Sequence, residues 1–254
     1  MAIAERTAER PPAGTQAVRN PYSSLPNWLY PTFVVVALGA FLVYATWVVF
    51  FERNGEYSPY LSPFFSPLIK VASIPPAIWV AWAPLAFRLT CYYYRKAYFR
   101  SFLWHPRSCA VPEPQRGRYR GETAFPWILN NFHRFAFYVT FIQVAFLLYD
   151  AILAFDFAGR FGVGVGTVLM AVNVVLLSGY TFGCHAVRHL AGGELDCFSC
   201  SRVARARWRL WRGVTVLNVR HDRWAWASLA SVWLTDLYIR GLVHGWFTDF
   251  RWVS

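Results

Sequence analysis

Five apolar stretches, near residues 32–51, 71–94, 126–154, 162–190 and 225–247, set the first limit on what this chain can fold into. Each is long enough to cross the hydrocarbon core of a bilayer, which takes roughly 20 residues. Inside lipid a backbone has no water to bond with, so a spanning segment must satisfy its own N–H and C=O groups as a helix. Charged residues make up 15% of the chain, against about 25% in soluble domains. The expectation is an all-α, polytopic membrane protein with five transmembrane helices within residues 31–254. The third and fourth stretches exceed the minimum and should tilt or project beyond the lipid. Residues 1–30 are polar and contain prolines, without the apolar core and cleavage site of a signal peptide, and read as a loose arm.

A formal charge of +12 invites a nucleic-acid reading, but the basic residues follow the loops. Three Lys or Arg lie in residues 1–30, seven in 95–124 and seven in 191–224, whereas the other loops and the tail hold Arg53, Lys70, Arg160 and Arg251. That alternation is the positive-inside pattern. It predicts a cytoplasmic N-terminus and an outside C-terminus in the cell inner (plasma) membrane, with basic loops 95–124 and 191–224 in the cytoplasm. Topology explains the charge, and no nucleic acid is needed. Tyr92, Tyr93, Tyr94, Tyr98 and Phe99, interleaved with Arg95, Lys96 and Arg100, follow a span directly and read as an interfacial anchor.

Within the spans, polar residues are expensive and mark pockets or partners. Pro84 should kink the second span, and Arg88 follows four residues later. Arg88 either faces a pocket or snorkels to the interface. His133 and Arg134 lie early in the third span, and Asp150 near its outer end reads as solvated. Gly162, Gly164 and Gly166 should let helices approach closely. Asp236 and Arg240, at i and i+4, read as a mutually neutralising pair. Arg202, Arg205, Arg209 and Arg212 recur at helical spacing among Trp208, Leu210 and Trp211, which suits an interfacial helix on anionic lipid or a docking face for an acidic subunit. His105 and Cys109 fall in a proline-rich loop and read as ordinary residues.

The densest chemistry is the segment GCHAVRHLAGGELDCFSC, residues 183–200. His185 and His189 share one helix face, Gly192-Gly193 can end that helix, and Cys197-x-x-Cys200 has the spacing of two thiolates on one metal. In a reducing compartment these thiols should be metal-bound or free, not a disulfide. Cys184 projects about 100° away from His185 on a helix and reads as packing. The set His185, His189, Cys197 and Cys200 suits a structural zinc or a Rieske-type [2Fe-2S] cluster. A haem held by His133 and His185 is a third option, although it leaves the CxxC without a role.

At these residues the chain resembles the cytochrome b subunit-like membrane anchor of a haem-less succinate dehydrogenase, the form of respiratory complex II with a membrane-embedded Rieske-type cluster. The resemblance is sharpest over residues 179–200. It implies a flavoprotein partner carrying FAD, an iron–sulfur subunit with further clusters docked on the cytoplasmic face, and electron transfer to ubiquinone or menaquinone. Arg88, His133 and Arg134 are then candidate quinone contacts. Assembly into a higher oligomer is compatible with this reading. No nucleotide-binding or dicarboxylate-binding motif is present, so the chain should do no succinate chemistry itself. The alternatives are a non-redox scaffold or transporter stapled by zinc, and a haem b anchor.

Overall fold

The computed structural model describes Pro26, residues 28–71, 74–104 and 123–254. The expected N-terminal arm, apart from its last residues, and most of loop 95–124, with His105 and Cys109, lie outside the described residues.

Among the described residues, eight α-helices carry the fold: α1 Leu29–Phe51, α2 Pro76–Thr90, α3 Tyr92–Leu103, α4 His133–Leu153, α5 Val165–Phe182, α6 His185–Gly192, α7 Arg202–Asn218 and α8 His221–Val243. A 3-10 turn, Trp127–Phe132, leads into α4. Among the described residues, three segments are long and apolar enough to cross a membrane: Leu29–Phe51, Trp127–Leu153 and Val165–Phe182. The expected second span is instead two helices. Helix α2, at 15 residues, rises only about 22 Å. Helix α8 has the length, but it carries Asp222, Arg223, Asp236 and Arg240. The long expected fourth stretch likewise divides into strand β3 Gly162–Gly164, then α5, then α6.

Chain order places α3, α6 and α7 at one end of the bundle. The opposite end carries two small two-stranded sheets. Strands β1 Glu56–Tyr57 and β2 Tyr60–Leu61 form one, and β3 pairs antiparallel with β4 Arg251–Val253 to form the other. Helices α4, α5 and α8 pack into a core around Leu147, Met170, Val174, Leu177 and Ile239. The glycines expected to serve helix–helix approach serve this end instead. Gly166 lies under the Tyr60 ring, where an added Cβ would sit 2.5 Å from a ring carbon. Asp249 ties the C-terminal tail down by accepting from Tyr60 (2.6 Å) and Tyr238 (2.5 Å). Asp150, expected to be solvated, is half-buried and accepts from the Ser66 hydroxyl.

The expected Asp236–Arg240 pair is present and fully buried, with Arg240 also reaching Glu52 at 2.9 Å. Tyr44 and Ser62 donate to Asp236, so the carboxylate is well satisfied. Burial without such partners would cost several kcal/mol.

Candidate metal centre

Both breaks in the expected spans fall at a cysteine. Cys91 separates α2 from α3 with extended backbone (φ −62°, ψ 127°), and so the helix breaks there and not at Pro84. Cys184 separates α5 from α6 in nearly the same conformation (φ −66°, ψ 147°). Each cysteine therefore sits at the N-terminus of a following helix, whose first N–H groups lack helical partners. The N–H groups of His185, Ala186 and Val187 lie toward the Cys184 sulfur. A metal-bound thiolate would be well placed against them.

A histidine meets each of these sulfurs. His133 Nε2 lies 2.9 Å from Cys184 Sγ, and His221 Nε2 lies 3.4 Å from Cys91 Sγ. Cys91 (1% exposed), Cys184 (2%) and His221 (8%) are buried, and both thiols are free. Phe87 stacks on His133 at 4.7 Å, Tyr180 stacks on His221 at 5.0 Å, and Phe87 and Tyr180 meet edge to face at 5.4 Å. One aromatic wall thus backs both Cys–His pairs. The two pairs lie near enough for Cys184 to feel Cys91 and for His133 to feel His221 electrostatically.

The tautomer of His133 follows from its neighbours. Thr90 Oγ1 donates its single proton to the Ala86 carbonyl at 2.7 Å. Its lone pair, 2.8 Å from His133 Nδ1, then accepts that N–H. Nε2 is left bare, facing Cys184. A hydrogen bond that fixes the tautomer in this way is the usual support of a metal-binding imidazole.

The set expected from the sequence is arranged differently. Helix α6 does end at Gly192-Gly193, and its loop is held by Arg207, which donates to the carbonyls of Ala191 (3.1 Å) and Gly193 (2.8 Å). But Cys197 and Cys200 are bonded to each other as a disulfide, against the expectation of free or metal-bound thiols. His185, His189 and Cys200 are exposed. His189 meets Arg134 at 3.3 Å and not a thiol. Cys184, expected to be packing, is the cysteine of the segment whose sulfur faces a histidine. Among the described residues, no three Cys, His, Asp or Glu side chains gather around one point as for a single metal ion.

Arg88 faces inward. Nη1 donates to Tyr94 Oη at 2.6 Å, Nη2 donates to Ser228 Oγ at 3.1 Å, and the guanidinium lies 4.7 Å from the Tyr180 ring centre. Arg88 also lines a cavity of about 380 Å³ whose walls are largely apolar, with Thr46, Thr140 and Gln143 as further polar groups. Gln143 is buried and its Oε1 has no partner. Arg134 lies at the surface and does not line this cavity.

The family described as actinobacterial succinate dehydrogenase subunit SdhC matches residues 29–245. This chain belongs to that family. Its structure is similar to a chain of the "Mycobacterium smegmatis Sdh1 complex in the apo form", with a TM-score of 0.80 and 38% sequence identity, covering 94% of this chain and 98% of that one. None of the curated proteins is similar enough to match. As an SdhC-family protein, the chain is a membrane subunit of a succinate dehydrogenase complex, and its partners are the other subunits.

Local spacing in the sequence of this SdhC-family subunit pointed to His185, His189, Cys197 and Cys200, whereas the structure sets Cys91 against His221 and Cys184 against His133. One signal was available. Cys91 and Cys184 both fall inside apolar stretches, where a residue with metal-binding chemistry is a functional candidate by default. The CxxC spacing drew attention to the loop instead.

Proposed function

We propose that this subunit anchors a succinate dehydrogenase in the membrane and links a docked iron–sulfur subunit to a membrane quinone by a Rieske-type [2Fe-2S] cluster, with Cys91, Cys184, His133 and His221 as its ligands. The observation that carries the assignment is the buried pair of free thiols, each against an imidazole, on breaks between helices. The donor set fits: two thiolates and two neutral imidazoles are the ligands of such a centre. Beside them, His221 Nδ1 and the Tyr180 hydroxyl are buried without a hydrogen-bond partner, so the pocket has polar capacity that the protein does not fill. When bound, the cluster supplies one-electron transfer at a potential between about −150 and +300 mV, a range that suits quinone reduction.

The protein's own residues would do the rest. Thr90 holds the His133 ring with Nε2 inward. Phe87, Tyr94, Tyr180 and Leu229 exclude water from the site. Arg88 joins the site to the quinone: it touches Tyr94 and Tyr180 on one side and lines the 380 Å³ cavity on the other. Apolar walls suit a quinone ring and its tail, and the guanidinium offers a donor to a carbonyl oxygen. His133 is then a ligand and not a quinone contact, and Arg134 is a surface residue. The positive-inside rule places the end carrying α3, α6 and α7 in the cytoplasm, where the iron–sulfur subunit would dock on its arginines. The test is iron and zinc quantification with EPR of the dithionite-reduced, purified complex. A Rieske-type signal with matching iron supports the reading, and stoichiometric zinc without a signal overturns it.

A further inference from the structure

Tyr180 carries a buried hydroxyl at this site that no hydrogen bond uses. The residue is 1% exposed, and its hydroxyl lies beside the Cys91 sulfur with no well-aligned partner. Its ring is fixed from several sides: His221 stacks at 5.0 Å, Tyr94 meets it edge-on at 5.9 Å, and the Arg88 guanidinium sits 4.7 Å from the ring centre. The backbone beneath it is fixed too. At the preceding Gly179 an added Cβ would lie 2.5 Å from the Trp224 ring, so α5 is pressed directly onto α8 at this level. A phenol this constrained cannot turn away to find another acceptor.

We infer that Tyr180 is a positioning residue that tunes the reduction potential of the site, donating its hydroxyl proton to the metal-bound sulfur of Cys91. The inference rests on the proposed cluster and its ligands. A thiolate bound to iron keeps lone pairs that accept hydrogen bonds, and such a bond stabilises the more negative, reduced state and raises the potential. The two sulfurs then receive donors of different kinds. Cys184 has the N–H groups of its own helix, and Cys91 has a side chain that one substitution can remove. Tyr180 also spans from His221 to Arg88, so the same ring sits between the ligands and the cavity.

The experiment is an EPR-monitored redox titration of the intact complex, wild type against Tyr180→Phe, with iron quantified in both. Phenylalanine keeps the ring and its stacking and removes only the hydroxyl. The expected result is equal iron, a retained signal and a lower midpoint potential. Equal iron with an unmoved midpoint overturns the inference while leaving the cluster standing. A wild-type complex without a Rieske-type signal, and without iron beyond that of the docked subunit's clusters, overturns both. If the Phe variant loses its iron, a fluorinated tyrosine at position 180 decides the matter, because it preserves the shape and makes the hydroxyl a stronger donor. A raised midpoint supports the hydrogen bond, and an unchanged one refutes it.

Discussion

Two groups of cysteines and histidines lie in this protein, and they differ in nearly every physical respect. The loop group, His185, His189, Cys197 and Cys200, is compact in sequence and mostly exposed, with its thiols spent on each other. The core group, Cys91, His133, Cys184 and His221, is scattered over 131 residues, counting both ends, and largely buried, with each free thiol against an imidazole. The difference teaches that spacing along a chain does not show which cysteines and histidines the fold sets against each other. Here the breaks between helices, and not a loop motif, bring donors together.

The comparison is broken most directly by removing thiols. Cys184→Ser or Cys91→Ser should abolish the Rieske-type EPR signal and lower the iron content by the iron of that one cluster, and with it quinone reduction by the complex. Cys197→Ser and Cys200→Ser should leave iron content and signal at the wild-type level. The opposite pattern would return the metal to the loop.

A stability control separates damage to the bundle from damage to the site. Asp236→Asn leaves Arg240 and Glu52 in place with less compensation, and breaking a buried ion pair costs about 3–5 kcal/mol. The variant should lower the thermal unfolding temperature of the purified complex while keeping its EPR line shape in the fraction that stays folded. A changed line shape would mean that the two ends of the bundle are coupled.

Thr90→Val keeps the side-chain shape and removes the acceptor for His133 Nδ1. Losses of about 10–100-fold in metal affinity are typical for such supporting residues. Faster iron loss under chelator challenge would show it, and identical loss curves would remove Thr90 from the site.

The smallest expected effect belongs to the cavity. Arg88→Gln should raise the KM for quinone by roughly tenfold, the loss of one hydrogen bond from a charged donor, with iron content unchanged. An unchanged KM would move the quinone elsewhere.

Part of this protein was legible locally. Apolar length located α1, α4 with its leading 3-10 turn, and α5, because lipid forces helical hydrogen bonding within each segment. The i and i+4 spacing revealed the Asp236–Arg240 pair, and Gly192-Gly193 marked the end of α6. The chain pattern at residues 179–200 pointed to the family that the comparison then established. These features depend on neighbours within a turn or two of helix.

Tertiary packing decided what local pattern does not encode. It broke two apolar stretches at Cys91 and Cys184, where a run of hydrophobic residues alone would continue as helix. It turned Arg88 inward and set Tyr180 between His221 and the Arg88 cavity wall. Above all, it joined Cys91 to His221 across 130 positions and His133 to Cys184 across 51. Hydropathy is a property of each segment and survives in the sequence. A pairing of cysteine with histidine across distant parts of the chain is a property of how those segments pack, and it exists only once they have.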